Sequence, residues 1–402
     1  MKKITFIHAA DLHLDSPMIG LKHLPDNIFQ RLRESTFRAL KKIIDTALKK
    51  EVDFVIFAGD LYDDENRSLR AQVRFRKEMD RLAERNIPVF IVHGNHDHLG
   101  GTWPHLQMPE NVHIFAEDVE VKIFQKNATT VHLYGFSYTK RHVLERKIGQ
   151  YEKAEGADFH IGILHGNMEG SSEHGNYAPF HLKELLEKQF DYWALGHIHK
   201  QSVLSESPPV VYPGSIQGLN KKEKGIKGCY LVSMTDHSPS LQFIETADVI
   251  WQTAEVDGSS IQNFHEIFEV CRKAVEDQRR EGFGILLYLS LKNMVINQLS
   301  SVAEEILDTL QAEEKQEESF VWPVSLSLEE QMNWKRSHLT LEADFYGELF
   351  LAIDEYNGLE ASLSSLYQHP AARKYVGALT DQEKQILLKA AEDLLIRQLY
   401  KG

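Results

Sequence analysis

Five short apolar runs within the first 200 residues each end directly on side chains that donate or accept charge. The run at Lys3–Ala9 leads into Asp11-Leu12-His13, and Val52–Ala58 leads into Gly59-Asp60. Ile87–Val92 leads into Gly94-Asn95-His96-Asp97, His160–Leu164 into His165, and Asp191–Leu195 into Gly196-His197-Ile198-His199. Runs of this length and β-branched content read as buried strands. An α/β fold presents ligand groups at the C-terminal ends of such strands. A single histidine at a strand end is usually a hydrogen-bonded structural residue. Five polar ends in succession, three flanked by glycines that let the backbone turn sharply, constrain the chain far more.

Between the strands the spacing changes from two to 3.6. Phe37, Leu40, Ile43, Ile44, Ala47 and Leu48 define a helix after the first strand. A second helix, about Ser68 to Arg85, is expected to turn Leu69, Val73 and Leu82 inward and several arginines outward. Those arginines suit either a solvated face or an anionic partner. Further strands are expected at 112–115, 119–124, 131–136, 210–212, 229–234 and 241–245. Helix–strand alternation and then consecutive strands predict an α/β fold, a two-sheet β-sandwich flanked by helices.

At 402 residues the chain exceeds one domain of ordinary size. Its formal charge of −14 falls entirely within residues 245–402, which hold 28 acidic and 14 basic residues. That shift supports a boundary near residue 250: 1–249 as the domain that carries the five strand ends, 250–325 as a small α/β capping domain, and 326–402 as a helical C-terminal region. In the second domain, Ser259 with Gln262 predicts a capping-box helix start and a face of Phe264, Ile267, Phe268, Cys271 and Val275. From about Leu326 the chain is expected to be all helix, interrupted at Gly358, Pro370 and Gly377. The last helix begins at Thr380 with Glu383 and carries Leu387, Ala390 and Leu394 on one side. Any polyanion must be met by the first, charge-balanced part.

No apolar run approaches the ~20 residues that cross a bilayer. Lys2-Lys3 before Ile4–Ile7 has the start of a signal peptide, but His8 and Asp11 interrupt it too early. Cys229 and Cys271 are too few and too far apart for a disulfide framework or a thiolate metal site. The expected location is the cytoplasm, with no membrane association.

Carboxylate, amide and imidazole donors together suit hard or borderline divalent ions such as Mn²⁺, Fe²⁺ or Zn²⁺. Two such ions roughly 3.5–4 Å apart can hold a hydroxide and clamp a phosphate during in-line attack. Opposed by two carboxylates and a hydroxide, they keep net positive charge for an anionic substrate. A histidine of near-neutral pKa can protonate the leaving oxygen, and no serine or cysteine nucleophile belongs to the set.

The five blocks resemble, in order, the D-x-H, G-D-x-x-D, G-N-H-D/E, H and G-H-x-H signature of the calcineurin-like metallophosphoesterases. The resemblance implies the metallophosphoesterase fold and two divalent metal ions, Mn²⁺ foremost. It implies that Asp11, His13, Asp60 and His199 hold one ion and Asp60, Asn95, His165 and His197 the other. His96 matches the family's proton-donating histidine and Asp63 the carboxylate that orients it; Asp97 is left a supporting role. His8–Leu14, Asn176–Phe180, Asp191–Lys200 and Tyr212–Gln217 are similar to the SbcD-type DNA-repair exonuclease branch, and to its YhaO-like subgroup.

That branch implies a metal-dependent DNA phosphodiesterase partnered by an SMC-like coiled-coil ATPase, on which the helical tail could dock. Relatives also pair as homodimers through the helices flanking the first strands. Lys221, Lys222, Lys224 and Lys227, with Lys140 and Arg141, could touch DNA phosphates or form solvated loops. A small-molecule metallophosphodiesterase is the alternative; it would cleave a compact diester and leave linear DNA whole. A non-catalytic scaffold would have lost ligands, and none is lost.

Overall fold

The computed structural model describes residues 2–18, 21, 23–63, 68–101, 106–170, 177–236, 239–294, 300–315, 317–330, 335–342, 344–367 and 379–399. Two compact units divide the chain, Met1–Glu330 and Gln331–Gly402. Among the described residues, no helix is long and apolar enough to cross a membrane.

The first unit opens with β1 (Lys3–Ala9), α1 (Asp26–Lys50), β2 (Phe54–Ala58), α2 (Leu69–Ala83), β3 (Val89–Val92) and β4 (Val112–Ile114). These strands run parallel, each joined to its neighbour by a crossover. A second series comprises β5 (Glu120–Lys126), β6 (Thr129–Gly135), β7 (Phe159–His165), α3 (Leu182–Glu187), β8 (Tyr192–Gly196), β9 (Ser202–Glu206) and β10 (Pro209–Tyr212). The chain then returns through β11 (Gly228–Thr235) and β12 (Ser240–Glu245) to the far side of β1. The two resulting sheets have orders β12-β11-β1-β2-β3-β4 and β5-β6-β7-β8-β10-β9.

Side chains alternate across each strand, and both faces of the central strands are covered, which is why those strands are apolar throughout. Phe6, Phe54, Ile56, Phe90, Leu133, Ile161 and Tyr192 meet between the sheets. Ile7, Val55, Phe57 and Ile91 face the other way, against Leu40, Ile43, Ile44, Phe75 and Met79 of the helices. On the outside of the second sheet, Trp193 and Leu195 pack with Tyr151, Leu185 and Phe190.

The expected inward face of α2 needs correcting. Leu69 and Val73 are 60% and 50% exposed, and the buried residues are Ala71, Gln72, Phe75, Met79 and Leu82. At about 100° per residue, Leu69 and Val73 lie roughly opposite Phe75 and Leu82. The arginines do sit outward, and Arg70 and Arg74 pair with Glu34 of α1.

After β12 come β13 (Val249–Asp257), α4 (Phe264–Asp277), β14 (Gly284–Met294), α5 (Ser300–Glu313) and β15 (Phe320–Glu330). The three strands form a parallel sheet in the order β13-β14-β15. One face holds the helices through Ile267, Cys271, Leu287, Leu289, Ile306 and Leu310. Its other face sets Trp251, Leu286 and Phe320 against Ile28 and Leu32 of α1. The predicted start of α4 moves four residues on. Asn263 is the cap, its Oδ1 accepting from Glu266 N at 3.0 Å, while Ser259 Oγ donates to Asp257 at 2.8 Å. Phe264, placed on the inner face by sequence, is exposed in the first turn. β15 also outlasts the expected change to helix at Leu326, because Ser325-Leu326-Ser327-Leu328 alternates at the strand period.

The second unit holds α6 (Arg336–Glu342), α7 (Asp344–Asp354), α8 (Leu359–Tyr367) and α9 (Asp381–Leu399). Leu339, Phe350 and Ile396 form its core. Arg336 bridges Asp354 and Glu392, each at 2.8 Å. The break at Gly358 is present; Pro370 and Gly377 lie outside the described residues. Thr380 and Glu383 cap α9 reciprocally. Leu387 and Leu394, expected on one side of this helix, are exposed.

Candidate metal centre

All five strand ends arrive at one place. β1, β2 and β3 of the first sheet and β7 and β8 of the second bring their C-terminal loops together along the edge where the sheets meet. Asp11 N donates to Gly59 O at 3.1 Å and His13 N to Asp60 O at 3.0 Å, so the first two loops run side by side. The backbone is strained where it delivers donors. Asp11, His13, Asp60 and His197 have φ of 52°, 42°, 51° and 97°. Left-handed backbone at a non-glycine residue costs on the order of 1–3 kcal/mol, and it persists where function requires the direction it gives.

Two donor groups result. Asp11, His13 and His199 form one; Asp60, His165 and His197 form the other, the donor atoms of each lying within 4.8 Å of one another. His13 Nε2 and His199 Nε2 face each other at 3.1 Å. Asn95 Oδ1 lies 3.1 Å from both His165 Nε2 and His197 Nδ1, which adds it to the second group. Asp60 Oδ2 is 3.3 Å from His165 Nε2 and 3.9 Å from His13 Nε2, so its carboxylate stands between the two.

The donor set fits a cation on its own chemistry. His165 Nδ1 donates to Ala58 O at 2.9 Å, which leaves Nε2 of a neutral ring as a lone pair. That lone pair points at Asn95 Oδ1 and Asp60 Oδ2, both acceptors. Convergent acceptors in a buried site demand a positive charge among them. Without an ion, a proton takes that place. Burial lowers the His165 pKa, but Asp60 and Asp11 outweigh it and raise it to about 9. Asp11 is pushed up to about 6, chiefly by burial, whereas the neighbouring imidazoles hold buried Asp60 well below the usual carboxylate range.

His96 sits at the edge of this arrangement. Its ring centroid is 5.0 Å from that of His13, and its backbone N donates to Asp60 Oδ1 at 2.9 Å. Asp63 Oδ1 lies 3.6 Å from His96 Nδ1, and Ser16 Oγ donates to Asp63 Oδ2 at 2.9 Å. Although burial raises the Asp63 pKa, the His96 ring beside it and the Ser16 hydroxyl bring it to about 2. Asp97 is fully buried and accepts from Gly94 N, Leu61 N and His93 Nδ1 at 2.7, 2.9 and 2.9 Å. It braces the loops after β2 and β3 against each other.

The basic residues divide. Lys221, Lys222 and Lys224 are exposed, as are Lys140 and Arg141. Lys227, grouped with them by sequence, is buried and donates to His199 O at 2.7 Å, so it faces inward. Sequence reading missed Glu223, whose Oε1 lies 3.2 Å from His199 Nδ1. Its signal was hidden among four lysines.

Gly94 leaves no room for a side chain. A Cβ there would lie 2.4 Å from Asp60 Oδ1 and 2.5 Å from His165 Nε2. Gly94→Ala is therefore expected to displace one of these donors and lower hydrolysis of an aryl phosphodiester by about 10²-fold. Gly149→Ala, whose Cβ would meet nothing within 4 Å, is expected to keep wild-type rates in the same assay.

The sequence pattern of the family described as Calcineurin-like phosphoesterase matches residues 4–201, the span that carries all five strand ends. A Bacillus subtilis (strain 168) protein, described as an uncharacterized metallophosphoesterase, YhaO, is 41% identical over 98% of each chain. The DNA double-strand break repair protein Mre11 of Thermoplasma acidophilum is 26% identical over 64% of this chain and 70% of its own. That of Methanocaldococcus jannaschii is also 26% identical, over 65% and 71%. Among solved structures, a dimetal phosphatase from Danio rerio aligns with a TM-score of 0.39 at 12% identity, over 61% of this chain and 96% of its own. With identity of 41% sustained across nearly the whole of both chains, this chain belongs to the calcineurin-like metallophosphoesterases and is a metal-dependent phosphodiester hydrolase.

Proposed function

We propose that this chain is a Mn²⁺-dependent DNA phosphodiesterase, cytoplasmic, acting in DNA repair beside an SMC-like coiled-coil ATPase. The observation that carries the reading is the pair of donor groups with the Asp60 carboxylate standing between them, in a chain whose relatives include proteins described as DNA double-strand break repair proteins. Asp11, His13, Asp60 and His199 hold one ion, and Asp60, Asn95, His165 and His197 the other. Mn²⁺ is the proposed ion, as the family resemblance implies, and the same oxygen and nitrogen donors also suit Fe²⁺ and Zn²⁺. When bound, two divalent ions supply an activated water and a clamp on the free phosphate oxygens.

The chain's own residues do the rest. Asp60 ties the two groups to one spacing. His96 protonates the leaving oxygen, and Asp63 keeps its ring directed at that oxygen. Lys221, Lys222, Lys224, Lys140 and Arg141 meet the nucleic-acid backbone, a contact that salt weakens. Residues 1–249 are the catalytic part, 250–325 cap the substrate, and 326–402 dock on the ATPase. Leu341, Phe345, Leu351 and Leu394, all exposed, support such docking. A homodimer through α1 and α2 would cover Leu69 and Val73.

The test is incubation of the full chain with linear duplex DNA, single-stranded DNA and an aryl phosphodiester, in Mn²⁺ or in chelator. The expected result is Mn²⁺-dependent cleavage of at least one DNA form. DNA left whole, with or without a coiled-coil ATPase partner, while the aryl diester is cleaved would establish the small-molecule alternative.

A further inference from the structure

We propose that Glu223 is a positioning residue for the first donor group, holding the His199 ring so that Nε2 faces Asp11 and His13. This rests on the reading of that group as a metal site and adds a residue to it. A carboxylate only accepts, so the 3.2 Å approach of Glu223 Oε1 puts the imidazole proton on His199 Nδ1. Nε2 is then the bare donor, and it is the atom 3.1 Å from His13 Nε2.

Glu223 is itself held in place. Ser215 Oγ donates to Oε2 at 3.1 Å and Leu219 N at 3.4 Å, while Asn220 Nδ2 donates to Oε1 at 2.9 Å. Its side chain is 12% exposed. The same segment grips His199 a second time through its main chain. Lys227 Nζ donates to His199 O at 2.7 Å and Ser215 N to the same oxygen at 3.2 Å. Lys227 Nζ also lies 3.9 Å from Glu223 Oε2. Ring and backbone of one donor are thus fixed by residues 215–227, a segment that otherwise presents three exposed lysines.

The second group is oriented differently. His165 gives its Nδ1 proton to the main-chain oxygen of Ala58 at 2.9 Å. A carboxylate partner raises the basicity of the ligand histidine more than a carbonyl does, and loss of such a partner typically costs about 10–100-fold in metal affinity. The two groups therefore differ in a way that a single substitution can separate.

Mn²⁺ titration of the metal-free full chain, with free ion followed by electron paramagnetic resonance, tests this on wild type, Glu223→Ala and Glu223→Gln. Two binding classes are expected in the wild type. Glu223→Ala should weaken one class by about 10–100-fold and leave the other unchanged. Glu223→Gln should fall between, because its amide oxygen still accepts from Nδ1 but carries no charge. In a His199→Ala background the Glu223 substitutions should add nothing, since the carboxylate acts through that ring. Wild-type titrations in both Glu223 variants would overturn the proposal. So would parallel weakening of both classes together with a lowered metal-free melting temperature, which marks a structural role. A wild type that binds no pair of ions sinks the metal-site reading itself, before any variant is compared.

Discussion

Asp60→Asn is expected to abolish binding of at least one divalent ion and to reduce phosphodiester hydrolysis by about 10²–10⁴-fold. The substitution keeps the shape of the side chain, removes its charge and turns the oxygen that faces His165 into an amide nitrogen. That charge stands between the two donor groups, 3.3 Å from His165 Nε2 and 3.9 Å from His13 Nε2, with almost no solvent to replace it. Breaking a buried ion pair from one side costs about 3–5 kcal/mol, which is about 10²–10⁴ in a binding constant. An asparagine can still accept the 2.9 Å hydrogen bond from His96 N through its amide oxygen, so the loop after β3 has no reason to move.

Thermal melting separates this from misfolding. An ion at about 100 times its Kd stabilises the folded state by about 2.7 kcal/mol, so Mn²⁺ should raise the wild-type Tm by several degrees. In Asp60→Asn that increment should shrink or vanish, on a metal-free Tm lowered by loss of the Asp60–His165 ion pair alone. Full double occupancy in the variant, measured by metal analysis, would contradict the shared-ligand assignment of Asp60.

The donors were legible in sequence because each stands within a few residues of its strand's end. Asp11, Asp60, Asn95, His165 and His197 need only a strand direction and a sharp turn to reach the edge between the sheets. Parallel strands point their C-terminal ends one way, so contiguous motifs converge without further information. Glu223 lacked that advantage. It meets His199 only because the segment after β10 folds back, with Ser215 and Asn220 closing on its carboxylate. Its neighbours are lysines, and charge runs read as solvated loops.

Lys227 shows the complementary failure: composition placed it with Lys221, Lys222 and Lys224, while one hydrogen bond to His199 O turns it inward. The exposed face of α2 was misread for a geometric reason. Leu69 and Val73 are apolar and one turn apart, yet the helix buries the face of Phe75, Met79 and Leu82. Hydrophobicity alone did not decide between two faces that both carry apolar residues. In β15, alternation of serine and leucine at 325–328 was outweighed by the helical character of the segment beyond Glu330.

His96→Ala is expected to lower kcat by about 10²–10⁴-fold, the usual contribution of a positioned acid, with both ions still bound. Its ring lies near the donor groups without belonging to either, at 5.0 Å from the His13 ring. The separation between proton donation and metal binding can therefore be measured. Mn²⁺ titration should match the wild type, in contrast to Asp60→Asn. The choice of substrate sharpens the test. An aryl phosphodiester releases a phenolate that needs little protonation, so His96→Ala should hurt its hydrolysis much less than that of a diester with an alkoxide leaving group such as DNA.

Asp63→Asn should reproduce part of this pattern, because the carboxylate 3.6 Å from His96 Nδ1 steadies the ring and stabilises its protonated form. That loss should again be larger on the alkyl diester than on the aryl one. An equal loss on aryl and alkyl diesters would point instead to a binding or structural contribution from His96. Loss of bound metal in His96→Ala would place its ring among the ligands and reverse the assignment.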